Sequence, residues 1–410
     1  MHRLTGILIF FTVCPCFAED RNWPQFRGPD RNSISTETGL LKSWPEGGPK
    51  RTWMFTNAGR GYSSFAISDG KLLTMGSRDG KEQLIAIDAN KGTELWQADV
   101  GEELENGWGN GPRSTPTVDG DHVYALGGRG DLICAKTSDG SVVWKKSMSD
   151  FGGKTPNWGY CESVLIDGNK VVCTPGGDQG TMLALNKETG ETLWQSKEIT
   201  DGAQYASIIT ADLNGQHQLI QLTQQHVFAV NAENGDLLWQ ADWDGRVAVI
   251  PTPIYHDRKV YVSSGYGVGC MLVEIGPDNV VEQKYKNKVM KNHHGGVVLL
   301  DGKLYGYSDG PGWTCQDFGA GEEVWSDKRK LGKGSLAYAD GMFYCLAKDS
   351  GEVALIDASP EGWNEHGRFT LEPQTEIRSD RGRIWTHPVV VNGKLYLRDQ
   401  DMIYCYDIKR

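Results

Sequence analysis

The chain has 410 residues, with 42 Lys and Arg against 53 Asp and Glu, a formal net charge of −11. That balance disfavours nucleic acids and anionic membrane surfaces as partners, because both demand a clustered cationic face. Glycine, at 52 residues, is about twice its ordinary share while apolar residues make up 39%, which excludes a disordered or collagen-like chain and points to a folded, turn-rich globule.

In chain order the first feature is an apolar run from Leu4 to Val13 behind His2 and Arg3, closing on Cys14, Pro15, Cys16, Phe17 and Ala18. The pattern reads as a secretory signal over residues 1–18, cleaved after Ala18. Lipidation of Cys14 would require small residues just before it, and Phe11, Thr12 and Val13 stand there instead. No later window holds the roughly 18 consecutive apolar residues that cross a bilayer. The mature protein is therefore expected to be exported, periplasmic or extracellular, without a transmembrane segment. Seven cysteines remain after the signal, an odd number with no adjacent pair and no CxxC spacing, so neither a disulfide framework nor a zinc or haem motif is indicated.

Residues 19–48 form a lead-in segment, and from residue 49 the chain becomes repetitive. A small or acidic residue, a glycine four positions on and a tryptophan four positions further recur as Asp88, Gly92, Trp96; Lys136, Gly140, Trp144; Asn186, Gly190, Trp194; Asn231, Gly235, Trp239; and Asp317, Gly321, Trp325. The tryptophans are 48, 50, 45 and 86 residues apart, the last interval being two periods of about 43. A degenerate copy, without tryptophan, therefore falls between Leu272 and Tyr285, and a stretched seventh copy runs from Val353 to about Phe369. Ahead of each copy lies a hairpin of alternating apolar residues, often turning on Asp-Gly, as at Asp69-Gly70, Asp119-Gly120 and Asp167-Gly168. Asp212 to Gly215 reads as another such turn and not as a calcium loop, because the later acidic ligands are missing. Two hairpins per period make four strands in about 45 residues, the size of a propeller blade. The eighth hairpin, Val389 to Leu397, is followed by Met402 to Asp407 and then lacks an outer strand. An orphan strand around Trp53 is expected to supply it and close the ring, leaving no long unpaired edge.

The pattern A-x-D-x-x-x-G-x-x-x-W at Ala86–Trp96 and Ala184–Trp194 resembles the repeat of pyrroloquinoline quinone (PQQ) type propellers, the quinoprotein alcohol dehydrogenase-like family, over residues 49–410. The resemblance implies an all-β fold, an eight-bladed β-propeller of four-stranded antiparallel blades whose last blade is completed near Trp53. It also implies that each tryptophan docks against the small residue and glycine of a neighbouring blade, and that the copy over 271–285 makes blade five locally irregular. The stretch Trp23 to Pro29 is similar to the lead-in of uncharacterised secreted bacterial members. Cys134, Cys315 and Cys405 occupy the alanine position of the repeat and read as small core residues.

In a propeller, the segment approaching each innermost strand lines one mouth of the central channel. Those segments contain Arg60, Gly61 and Tyr62; Trp108, Asn110 and Arg113; Trp158, Tyr160 and Glu162; Tyr205; Arg246; His293 and His294; Lys333; and Arg383, Trp385 and His387. Converging guanidinium, imidazole and aromatic groups would suit an anionic or polyhydroxylated planar ligand. Solvated propeller loops are polar as well, so the pocket depends on the ring geometry. Adjacent residues of a strand face opposite ways, so one of His293 and His294 is expected to be a hydrogen-bonded structural group and not half of a metal pair; no metal set is assigned. Glu162, the one carboxylate in these segments, is the candidate catalytic base or calcium ligand, unless it pairs with Arg113 or another cation.

The family includes quinoprotein alcohol dehydrogenases as well as non-catalytic scaffolds such as a lipoprotein that assists outer-membrane barrel assembly. Three features of the catalytic members are not found: the adjacent cysteine pair that covers the quinone, a full Asn and Asp calcium set, and extra blade insertions. The expected function is a secreted binding or scaffold module, with a protein, peptide or carbohydrate partner and a small-ligand pocket at one channel mouth. The alternative is a dehydrogenase of alcohols or sugars dependent on PQQ and calcium.

Overall fold

The structure, a computed structural model, describes residues 22–410. The signal assigned to residues 1–18 lies outside them. Strand follows strand through a series of hairpins, and helix is confined, among the described residues, to two single 3-10 turns at Met148–Phe151 and Pro277–Asn279. Eight sheets result. Blade 1 is built from Ala66–Ser68, Lys71–Arg78, Lys81–Asp88 and Glu94–Glu102, each antiparallel to the next. Blades 2 to 7 repeat this order over residues 117–147, 165–195, 209–242, 254–287, 297–327 and 334–370.

Blade 8 takes three strands from residues 389–407 and its outer strand from Lys50–Phe55, with Trp53 opposite Cys405. The ring is thus closed by joining the two ends of the propeller. Apolar residues alternate along the strands, so each blade buries both faces against its neighbours. The buried side chains fall into eight clusters, each spanning one junction between consecutive blades. The cluster of Phe65, Ile67, Ile85, Val389, Tyr396 and Ile403 is the junction of blade 8 with blade 1.

The repeat residues explain how consecutive blades are locked. Trp96, Trp144, Trp194 and Trp53 stand opposite Ala86, Cys134, Ala184 and Cys405 within their own blade. The indole then reaches the next blade, where its Nε1–H donates to a turn carbonyl: Trp53 to Ala89 at 3.0 Å, Trp96 to Thr137 at 3.1 Å, Trp144 to Lys187 at 2.8 Å and Trp194 to Ala232 at 3.2 Å. A Cβ on Gly92, Gly140, Gly190 or Gly235 would lie within 2.9 Å of the docked ring, so only glycine fits. The small residue is therefore the tryptophan's partner in its own blade, and the glycine alone belongs to the neighbour.

Blade 5 is locally irregular as expected, the turn between its third and fourth strands being the 3-10 segment Pro277–Asn279 with Asp278 and Asn279 at φ +53° and +60°, yet it keeps the docking contact. Tyr285 stands opposite Leu272 with the same register shift beside it, its hydroxyl donates to Phe318 O at 2.9 Å, and its ring covers Gly321. A second aromatic with a polar tip does the tryptophan's work. Trp239 departs from the pattern by donating to Gln218 Oε1 of its own blade at 2.8 Å.

The lead-in is not a tail. Trp23 exchanges backbone hydrogen bonds with Ile67 of blade 1, Pro24 O accepts from Val118 N of blade 2, and Ile34–Ser35 runs parallel to the inner strand of blade 7. Arg31, 4% exposed, donates to the carbonyls of Ser163 and Ile208 at 2.9 and 3.0 Å and to Val164 O, tying blades 3 and 4. Arg27, 3% exposed, donates to Val297 O of blade 6. Residues 22–35 thus lie across the channel and close it at one level.

Candidate functional site

Above that closure the channel opens into a cup of about 210 Å³. Its floor is Phe26 and Arg27 of the lead-in, and its walls are the segments that approach the innermost strands. Of the residues singled out from the sequence, Tyr62, Trp108, Arg113, Trp158, Tyr205, His293, His294, Trp385 and His387 line it. The aromatic groups lean on one another: Tyr62 and Trp385 are 4.9 Å apart between ring centres, Trp158 and Tyr205 5.8 Å, and Phe26 and His387 5.2 Å. At the rim Trp108 and Tyr266 remain 42% and 39% exposed.

The other candidates are placed elsewhere. Arg60 and Arg246 are exposed outside the cup. Asn110 folds its own loop, accepting from Asn106 N at 3.0 Å. Tyr160 is buried between blades 2 and 3 and donates to Pro175 O at 3.1 Å. Arg383 is paired with Asp349 at 2.6 Å. Lys333 stands behind the wall, 2.8 Å from His293 Nδ1 and ion-paired with Asp309.

Glu162 does not face the cup. It is 1% exposed, its Oε2 accepts from Thr174 N at 2.9 Å, and burial pushes its carboxyl up to about 8 against the opposing charge of Arg31. Alternation along the extended segment is the reason: Tyr160 and Glu162 turn back into the blade junction while Cys161, between them, lines the cup. Its charged neighbour is Arg31, not Arg113, whose guanidinium donates to Gly109 O and Gly111 O.

His293 and His294 behave differently from residues on a strand, since the backbone bends there and both line the cup. Burial and Lys333 push His293 down to about 4, and burial and Arg27 push His387 down to about 4. His294 is driven well below its ordinary value by burial first. All three are neutral at pH 7. Arg27, lowered to about 10 by burial, remains charged. Among the described lining residues two are arginines and none is Asp or Glu.

Phe26, Arg27, Cys161, Thr252 and Tyr266 line the cup but were not singled out. Tyr266 sits between the second and third strands of blade 5. Those connections reach the same mouth as the approach segments, and including them would have found it.

Residues 80–327 match the sequence profile of the family described as outer membrane protein assembly factor BamB. The chain belongs to the BamB family. The Yersinia pestis BamB is 22% identical over 385 residues, covering 90% of this chain and 80% of that relative. The crystal structure of BamB from Moraxella catarrhalis superposes with a TM-score of 0.61 at 16% identity, covering 88% of this chain and 98% of the other. The quinohemoprotein alcohol dehydrogenase of Comamonas testosteroni reaches 0.63 at 10% identity, over 95% of this chain and 80% of the enzyme. At such identities these two structures share the fold with this BamB-family chain. The repeat resemblance to PQQ-type propellers is thereby shown.

Calcium and PQQ, which the dehydrogenase branch of the fold implies, can be tested against these residues. Calcium takes several carboxylate or carbonyl oxygens. The cup offers no carboxylate, Glu162 is sealed behind its wall, and Cys161 is a single free thiol there. The residues present do not fit the calcium–quinone pair.

Proposed function

We propose that this chain is an exported, non-catalytic propeller that works by binding another protein during envelope assembly, as the name of its family implies. The observation that carries this reading is the absence of any carboxylate among the described residues lining the cup, where dehydrogenase chemistry would need a base. Residues 1–18 then serve as the export signal, 19–48 as the lead-in and 49–410 as the propeller. A protein is favoured over a carbohydrate as partner because the family and its relatives are named for the assembly of outer membrane proteins. No helix among the described residues is long and apolar enough to cross a membrane.

Deleting the gene in its host should lower the amount of folded outer-membrane barrel protein, measured by heat-modifiable migration on gels, with restoration by the wild-type chain. Unchanged barrel levels would overturn the assembly reading. Stoichiometric uptake of PQQ with calcium, together with dye-linked oxidation of an alcohol, would replace it by the dehydrogenase.

A further inference from the structure

Several residues lining the cup are buried with unused hydrogen-bonding capacity, Arg27 on the floor and His387, His294 and Thr252 on the walls, and the first two lie side by side. Arg27 spends Nε on Ser33 Oγ at 2.9 Å and Nη2 on Asn32 O and Val297 O, while Nη1 has no partner among the described residues. His387 Nε2 lies 3.1 Å from His294 O, so Nε2 carries the hydrogen and Nδ1 is left as a lone-pair acceptor. Nδ1 likewise has no partner among the described residues. The two side chains are 3% and 8% exposed.

They meet at Gly296, where a Cβ would come within 3.2 Å of His387 Cε1 and 3.6 Å of Arg27 Nη1. The missing side chain keeps that corner clear. Leaving such a donor and acceptor buried and unused costs about 1–3 kcal/mol each. A charged donor beside a neutral acceptor calls for one molecule with an anionic oxygen for the first and a hydroxyl for the second. The walls are aromatic on several sides, which selects a planar ring. Space limits the ring count: a dry cavity of about 150 Å³ holds benzene, and this one is about 210 Å³.

We propose that the cup binds a single-ring aromatic carboxylate bearing a hydroxyl, its carboxylate held by Arg27 and its hydroxyl donating to His387 Nδ1. The anchoring charge comes from the lead-in that closes the channel and not from any blade. Arg113 adds a second positive charge on the wall, and no lining carboxylate opposes the ligand. This site stands apart from the assembly reading, which the deletion test alone decides.

The test uses the mature protein and its own fluorescence, since Trp108, Trp158 and Trp385 lie in the wall. Titration with 3-hydroxybenzoate, benzoate, 3-hydroxybenzamide and PQQ with calcium, confirmed by calorimetry, should rank the hydroxy acid first. The neutral amide should bind about 10- to 100-fold more weakly, the worth of a charge-assisted hydrogen bond. Benzoate should lose about 5-fold for the missing hydroxyl. Arg27→Gln should erase the preference for acid over amide, and His387→Phe the preference for the hydroxyl. Should Arg27→Gln fail to fold, the wild-type series still decides. Equal affinity for acid and amide, no saturable binding below about 10 mM, or a preference for PQQ would overturn the proposal.

Discussion

The lock between blades can be measured within blade 4 by comparing two alanine substitutions. Gly215 and Gly235 both turn hairpins there with nearly equal backbone angles, φ +73° and +78°. Around Gly215 a Cβ would meet nothing within 4 Å, whereas at Gly235 it would fall 2.5 Å from Trp194 Cε3 and 3.0 Å from two further ring atoms. The left-handed backbone costs an alanine about 1–2 kcal/mol at either position. Gly235→Ala must in addition displace the indole that blade 3 docks there, an overpacking cost of about 1–3 kcal/mol. Gly215→Ala should therefore lose about 1 kcal/mol and Gly235→Ala about 3 kcal/mol, as read from equilibrium urea unfolding. In heat the difference is about 2 °C, because a chain this long shifts by only about 1 °C per kcal/mol. Pairing Gly235→Ala with Trp194→Ala removes the collision, so the double variant should be about 1–3 kcal/mol more stable than the two single losses summed. Equal losses at Gly215 and Gly235, or strict additivity in the double variant, would refute the docking argument.

Trp53→Ala should open the seam between blades 8 and 1, costing about 3 kcal/mol and exposing the Lys50–Phe55 strand to limited proteolysis before any other segment is cut. Arg31→Met leaves the carbonyls of Ser163 and Ile208 without their donor, while Val164 O keeps the Thr117 hydroxyl at 2.7 Å, and should cost about 3 kcal/mol in chemical denaturation. For Glu162, whose carboxyl sits at about 8 in the native state, the folded chain keeps a proton that the unfolded chain has already released above its ordinary value of 4.5. This carboxyl's contribution to stability should therefore fall as pH rises from about 4.5 to 8 and level off above, by an amount on the order of 5 kcal/mol, while His293 and His387, held down at about 4, act in the opposite sense between about pH 4 and 6.5. Glu162→Gln mimics the protonated acid and still accepts from Thr174 N, so the slope should appear in the difference between the unfolding free energies of the wild type and the variant, where Glu82, raised to about 7, and the buried histidines cancel.

The ring was legible because its information is local and periodic. Asp-Gly turns, alternating apolar residues and the glycine–tryptophan spacing recur within each blade, and the orphan strand at Trp53 followed from counting strands. Tyr285 was harder to read because the repeat was recognised by indole, whereas the junction asks only for a flat ring with a donor at its tip. The lead-in could not be read at all: its interactions are long-range, as in the 270 residues between Arg27 and Val297, and it carries no period. Within the site, the approach segments did collect many of the wall residues, since all of them reach one mouth. What a linear reading missed is direction. Glu162 and Cys161 are neighbours that point to opposite sides, and the bend at His294 cancels the alternation that separates neighbours elsewhere.

The seam between Lys50–Phe55 and Met402–Asp407 also sets a timetable. Thr52 and Cys405, bonded across it, are 353 residues apart, and Arg410 N donates to Gly39 O at 2.9 Å. A ribosome delivers the first of these partners long before the second, so the circle cannot be sealed until Met402–Asp407 has been made. A product broken off early would keep an open edge and a loosely held amino terminus, both accessible to proteases.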